Sequence, residues 1–444
     1  MKNYNFSLLF LLIYSFSFSQ ESSYFDSKNR NPVIPGHFAD PSLIADAGKY
    51  YLYATNVSKY MEPVVWISDD LTSWEVKSLG ITGEHLFWAP SVIKGDDNKF
   101  YLYYSNGYDF KCHLYIGQSA TGPWSYSGLV EQGFDLQIFR DPTTGKVYGT
   151  SSDPKSRPRL VEFESNPKNK GYMTKVVREQ ALEGSFFDYS EGSFLMYNNG
   201  WYYLMYSGGR CENENYNINC ARSKNVWGSY EDAPNNPVME KKTESKIFGP
   251  GHNSVFVVNN QHFIVYHRQD YYFYPTCGER QVCIDKLEFD NAGWIKTIIP
   301  TNKGIDFTEI LKSTSPKPKN IAFGKRTTTN SIIEKFNSEF AVDENYATYW
   351  KGNNSSFFSV DLGQEYKIDK ILPRFMNYDS FLLYKIDYST DNVNWQTYHD
   401  QSQQAQKAWT PILQKTVTAR YIKITFVRGE GKVALSELEV YQTK

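Results

Sequence analysis

An all-β fold, a five-bladed β-propeller followed by a β-sandwich, is what this sequence predicts, and three observations predict it. From residue 30 to about 300 the helical period is almost absent, and short Tyr-, Val- and Ile-rich runs alternate with Gly, Asn and Asp turns. Aromatic residues reach 17%, with 10 Trp, 35 Tyr and 29 Phe, which suits β-structure and apolar sugar-stacking faces better than a helical bundle. Five segments also repeat one pattern at the spacing of a propeller blade.

The elements follow in chain order. Residues 1–20 read as a secretory signal: Lys2, a mostly apolar run from Phe6 to Phe16, and small residues around Ser17–Gln20. The run is short for a membrane span, so a secreted, periplasmic or extracellular protein is expected, with no membrane insertion after signal removal. The repeats occupy residues 30–312. Their openers are Asp40, Ala89, Asp135, Glu191 and His252, spaced 49, 46, 56 and 61 residues apart, each leading to an aromatic strand such as Tyr50–Tyr53 or Trp201–Leu204. The innermost strand of a blade lines the central channel. The pattern therefore gathers three carboxylates and an imidazole in one funnel, an arrangement tolerated mainly where it serves catalysis or metal binding. Residues 313–319 form a polar, Pro-containing linker. Residues 320–443 carry alternating strands at Phe358–Leu362, Tyr384–Tyr388 and Tyr421–Thr425, the pattern of a β-sandwich.

Charge and cysteine usage narrow the function classes. Lys plus Arg is 47 against Asp plus Glu 49, a net charge of -2, so no nucleic-acid or anionic-membrane partner is expected. Five cysteines remain: Cys112, Cys211, Cys220, Cys277 and Cys283. The pairs Cys211/Cys220 and Cys277/Cys283 could each close a short loop, although spacing does not set connectivity. Without a CxxC or a neighbouring His at ligand spacing, zinc is not expected.

Four motifs carry a resemblance: Phe38-Ala39-Asp40-Pro41-Ser42, Trp88-Ala89-Pro90-Ser91, Glu191-Gly192-Ser193 and Gly249-Pro250-Gly251-His252-Asn253-Ser254. In this order they resemble glycoside hydrolase family 43. The second domain resembles a coagulation factor 5/8 type C (discoidin-like) module, a jelly roll, through Asn320-Ile321-Ala322, Thr348-Tyr349-Trp350, Val360-Asp361-Leu362-Gly363 and Glu437-Leu438-Glu439-Val440-Tyr441.

The first resemblance implies roles. Asp40 would be the general base that activates water, Glu191 the general acid, and Asp135 the third carboxylate that tunes the acid. Inverting glycosidases need one ionised and one protonated carboxyl. Glu183-Gly184-Ser185-Phe186 nearly copies the acid motif, but only Glu191 leads into an apolar strand, a turn and an aromatic strand. Asp141 competes with Asp135, and the family spacing Asp135, Phe139, Asp141, Gly145, Lys146 favours Asp135. Trp88 would be a sugar platform or a core residue between blades. Phe38 and Phe87 would be pocket walls. His252 would face the channel and hold a water or a calcium ion, or bond backbone. Arg280 would reach substrate hydroxyls or pair with Glu279. No cofactor is expected to be obligatory, and the second resemblance implies a structural calcium. The expected activity is an exo-acting glycosidase on plant or algal polysaccharide, α-L-arabinofuranosidase first. β-Xylosidase, β-galactofuranosidase or exo-galactanase comes second, and a catalytically silent carbohydrate-binding propeller is the reading of a different class.

Overall fold

Alternating apolar strands punctuated by tight turns fold into hairpins, and the hairpins assemble into five sheets and a strand-rich second unit. The structure, a computed structural model, describes residues 29–55, 62–82, 86–130, 133–152, 157–183, 190–269, 277, 279–312, 319–376, 381–407, 413–429 and 433–442. The expected signal (1–20) and nearly all of the expected linker (313–319) lie outside these residues.

Each of the first four sheets is a four-stranded antiparallel meander. They are β1 (Ala39–Asp46), β2 (Lys49–Thr55), β3 (Val64–Ser68) and β4 (Glu75–Ser78); then β5 (Phe87–Lys94), β6 (Phe100–Asn106), β7 (Lys111–Gly117) and β8 (Trp124–Val130). The third holds β9 (Phe134–Arg140), β10 (Val147–Ser152), β11 (Pro158–Phe163) and β12 (Val176–Ala181), and the fourth β13 (Ser190–Asn198), β14 (Trp201–Gly208), β15 (Asn217–Ser223) and β16 (Glu231–Asp232). The fifth has three strands, β17 (Phe248–Val258), β18 (Gln261–Gln269) and β19 (Arg280–Leu287). The N-terminal segment closes the ring against it. Val33 N–H donates to the Val282 carbonyl at 2.9 Å, and Asn31 Oδ1 accepts from Ile284 N–H at 2.8 Å. A short helix, α1 (Phe307–Leu311), buries Phe307 against Phe256 and Phe263, extending the apolar layer between the fifth and first blades.

Every inner strand breaks register where the openers stand. Asp40, Ala89, Asp135 and His252 take φ of 49°, 44°, 59° and 44° beside β-bulges, and Gly192 takes φ 58° in the fourth blade. Left-handed backbone at a non-glycine residue costs of order 1–3 kcal/mol and persists where neighbours over-determine it. Here the preceding blade's second strand does so. Thr55 Oγ1 accepts from Ala89 N–H (2.7 Å), Ser105 Oγ from Asp135 N–H (2.9 Å), Ser207 Oγ from His252 N–H (2.7 Å) and His267 Nδ1 from Asp40 N–H (3.1 Å). Four of the five blades thus pin the opener of the next around the axis, and Gly192 N–H donates instead to Asp135 Oδ2 at 3.3 Å.

One correction concerns the fourth repeat. Glu191 pairs with Ser207 as Ala39 pairs with Thr55 and Trp88 with Ser105, so the counterpart of Asp40 is Gly192. Glu191 stands one residue earlier than the opener pattern places it. A Cβ at Gly192 would lie 2.6 Å from the His252 ring, so the bulge position itself has no room for a side chain.

The second unit comprises β20 (Arg326–Thr329), β21 (Trp350–Gly352), β22 (Phe357–Phe375), β23 (Phe381–Ser389), β24 (Gln396–Lys407), β25 (Leu413–Gly429) and β26 (Val433–Gln442). Long β22 pairs with β20 and β25 in its first part and with β26 from Ile368 onward, wrapping an apolar interior around Trp350, Phe358, Ile371 and Phe426. Trp350 is therefore core, and the Trp395 ring is covered by Lys423 Nζ at 3.8 Å. The two units touch at Arg374, which is buried. Its guanidinium donates to both Glu439 carboxylate oxygens (2.9 and 3.2 Å) and, across the boundary, to the Trp74 carbonyl (3.0 Å).

Candidate active site

The pinned bulges aim the opener side chains at one another. Asp40 Oδ1 lies 2.9 Å from Arg280 Nη1 and 3.1 Å from both His252 Nδ1 and His267 Nδ1, while its Oδ2 accepts from the Thr55 hydroxyl. Asp135 Oδ2 lies 3.8 Å from His252 Nδ1 and accepts from Gly192 N–H at 3.3 Å. Glu191 Oε1 accepts from the Tyr216 hydroxyl at 2.7 Å. All of these side chains are buried or nearly so.

Electrostatics separate the carboxyls. Burial alone would raise Asp40, but the Arg280 and His252 charges and the hydrogen bond from His252 hold it well below the ordinary carboxylate value. Glu191 moves the other way. Burial raises it, and the negative charge of Asp40 adds to the rise against the opposing pull of Tyr216, His252 and Arg280. Asp135 is also raised, first by burial and then by Glu191 and Asp40, with His252 opposing. Burial would make His252 less basic, yet Asp40 and Asp135 carry it up to about 9, so it sits among the carboxylates as a cation. Burial and the Arg280 charge push His267 down to about 3, leaving a neutral imidazole beside Asp40.

Asp40, Asp135, Glu191, His252 and Arg280 therefore form one constellation. Arg280 pairs with Asp40, and its Nε donates to the Cys277 carbonyl at 2.6 Å. Asp141 belongs elsewhere: its carboxylate accepts from the Thr143 amide and hydroxyl, the Thr144 hydroxyl and the Tyr202 hydroxyl, closing the turn after β9. Glu183 is exposed just beyond β12, the strand at the far edge of its sheet from β9. Phe38 and Phe87 are both packed into blade cores, against Trp66 and Tyr104, leaving almost none of either to a pocket. Both stand two residues before a bulge, facing the interior of the blade. Trp88 is half-buried, with Phe110 and Phe134 edge-on to its ring at 5.8 and 6.4 Å, and Phe110 is 62% exposed.

Among the described residues, one trio of His, Cys, Asp or Glu ligand atoms lies within 4.8 Å of one another: Cys211, Glu212 and Cys277. Its two sulfurs are bonded to each other, and His252 belongs to no such group. The Cys211–Cys277 disulfide replaces the sequence-near pairings, because Cys220 and Cys283 lie inside β15 and β19 with their side chains in the apolar core. It ties the segment before β15 to the one that leads into Arg280.

His267 and Tyr216 were missed by sequence reasoning. A signal for His267 existed: it occupies the second-strand position where the other blades have Thr55, Ser105, Ser152 and Ser207. Nothing local marks Tyr216.

Differently poised carboxyls at the axis of a five-bladed propeller fit the acid and base of a glycoside hydrolase. Residues 29–295 match Glycosyl hydrolases family 43, and the chain belongs to that family. Residues 304–438 match the F5/8 type C domain. A relative described as Beta-D-galactofuranosidase xynD, from Aspergillus niger, is 26% identical over 63% of this chain and 88% of its own length. Xylosidase/arabinosidase 43B of Humicola insolens is 28% identical over 48% of this chain; the match spans 43% of that protein, less than half its length. Among solved structures, one described as a glycoside hydrolase superposes over 94% of this chain and 100% of its own at a TM-score of 0.76 and 22% identity. A thermostable family-43 glycoside hydrolase covers 65% of this chain and 97% of its own, with a TM-score of 0.54 and 28% identity.

Proposed function

We propose that the chain is an exported, inverting, exo-acting glycosidase that removes terminal α-L-arabinofuranosyl units from plant or algal polysaccharide. The observation that carries this reading is the opposed poise of Asp40 and Glu191 in one buried cluster. Asp40, held ionised, takes a proton from water as the water oxygen attacks the anomeric carbon. Glu191, whose pKa is raised, gives its proton to the departing oxygen. Asp135 and cationic His252 set the field between them, and Arg280 and His267 orient Asp40. Trp88 and Phe110 offer an apolar face to a sugar ring. Export is supported by the Cys211–Cys277 disulfide, which suits an oxidising compartment.

β-D-Galactofuranoside hydrolysis is the second reading, favoured by the Aspergillus relative matched over most of its length. The two sugars share ring configuration and differ in the substituent on C4. A panel of aryl pentosides and galactosides, furanose and pyranose, discriminates them, with α-L-arabinofuranoside expected to be cleaved fastest. Proton NMR of the first-formed sugar is expected to show the inverted anomer. Retention would remove Asp40 as base.

The second domain would hold a structural calcium at Asp343 and Glu437. Burial raises both, Asp343 to about 7, with the Glu344 charge adding to Asp343 and the Asp343 charge to Glu437, and the Thr348 hydroxyl stands on Asp343 at 2.8 Å, so the donors are hard oxygens short of positive charge. Calcium added to chelator-treated protein is expected to raise its melting temperature. Glu437→Gln should abolish that rise, and a wild-type protein indifferent to calcium would remove the assignment.

A further inference from the structure

The two oxygens of Glu191 are not equivalent. Oε1 accepts from the Tyr216 hydroxyl at 2.7 Å. The Tyr216 oxygen is itself met by the Ser207 hydroxyl, and Ser207 Oγ accepts the backbone N–H of His252 at 2.7 Å. That last link occupies one lone pair of Ser207 Oγ and leaves its hydroxyl proton to be placed on Tyr216, which in turn donates to Glu191.

The fold invests in this placement. Tyr216 is fully buried, its ring stacks on His267 at 5.6 Å and 7°, and a Cβ at Gly251 would fall 1.9 Å from the tyrosine ring. Asp40 has a parallel arrangement: Ala89 N–H donates to Thr55, whose hydroxyl donates to Asp40 Oδ2. In both cases a hydroxyl chain that starts at the next blade's backbone ends on one oxygen of the carboxylate.

We propose that Tyr216, oriented by Ser207, is the positioning residue of the acid: it keeps Glu191 Oε1 as an acceptor, so that the transferable proton stands on Oε2. This deepens the reading of Glu191 as general acid and rests on it. In the step itself the Oε2–H bond breaks as the leaving oxygen gains that proton. The bond from the anomeric carbon to that oxygen breaks with its electron pair going to the oxygen, and water adds to the carbon while Asp40 takes its proton. Glu191 is left as a carboxylate, and the Tyr216 bond strengthens as the negative charge appears. The charged and titratable groups acting on Glu191 are His252 on β17, Asp40 on β1, Arg280 on β19 and Asp135 on β9; of its strongest influences, Tyr216 alone is an uncharged donor.

The sign follows. Tyr216 favours the ionised form of Glu191, so its loss raises the folded-state pKa and moves the basic limb of kcat/KM to higher pH. Tyr216→Phe keeps the ring, its stack on His267 and its fit beside Gly251. We expect the basic limb to rise by on the order of one pH unit, and turnover of a poor leaving group such as an alkyl glycoside to fall about 10- to 100-fold. A dinitrophenyl glycoside, which departs without a proton, should lose far less. Ser207→Ala should give a smaller change of the same sign, and it carries the test if Tyr216→Phe fails to fold. A stationary basic limb with equal loss on both leaving groups would overturn the proposal and leave Tyr216 a packing residue, as would a limb that moves down. Glu191→Gln run alongside separates the two ideas: if it keeps full rate on the alkyl glycoside, the acid assignment itself has failed, whatever Tyr216 does.

Discussion

Glu191→Gln is expected to cut turnover of unactivated glycosides by about 10²- to 10⁴-fold, the range general acid catalysis supplies, with little loss of stability. The amide keeps the side-chain volume, and its oxygen can still accept from Tyr216, so what is removed is the proton. Activated aryl glycosides should be spared in proportion to their leaving-group acidity. Asp40→Asn should cost at least as much on every substrate, because water must be activated whatever leaves. It also strips the counter-charge from Arg280 and His252, both of which approach the same oxygen. His252 should therefore titrate at lower pH in that variant, which NMR of the imidazole can read. Exposed Glu183 is expected to be silent as Gln; a dead Glu183→Gln beside an active Glu191→Gln would reverse the assignment. Steady-state rates on alkyl and dinitrophenyl glycosides decide all of this together.

Arg374→Met is expected to have the largest effect on stability, about 3–5 kcal/mol, because it leaves the buried Glu439 carboxylate without its partner. It also removes the donor to the Trp74 carbonyl, a contact that joins the second domain to the first blade. Burial would raise Glu439, but Arg374 and the Tyr346 and Tyr441 hydroxyls hold it below the ordinary value. A depressed carboxyl contributes stability that is present above the unfolded pKa of about 4.3 and is lost as pH falls through the folded value. Wild-type stability should therefore drop on acidification below that point, and the variant should lose this part of its pH dependence. Denaturant unfolding at pH 7 and pH 4 measures both. An unchanged midpoint at pH 7 would mean that the ion pair and its cross-domain bond contribute nothing. If the second domain serves chiefly as a docked support, the variant should also lose activity on small substrates as it loosens. This expectation fits the burial of Trp350 in the core, out of reach of any sugar.

Local patterning determined a good deal of this protein. Strand, turn and opener recur within each repeat of about fifty residues, and short-range hairpins carry their signals in adjacent residues, so blade number, the acidic axis and the choice of Glu191 over Glu183 were legible. The same locality explains the one-residue slip at Gly192. Glu-Gly-Ser looks like Asp-Pro-Ser as text, but the bulge position is set by the His252 ring of another blade.

What only the tertiary structure decided depends on ring closure. Asp40 meets His267 and Arg280 across 227 and 240 residues because closing a propeller brings its last blade against its first. Cys211 finds Cys277 rather than the nearer Cys220 because it meets the neighbouring fifth blade while Cys220 is held in the core. The poise of each carboxyl is likewise a tertiary property. Asp40, Asp135 and Glu191 are chemically alike in the sequence, and only burial, the placement of the Arg280 and His252 charges, and the Tyr216 hydroxyl push them apart.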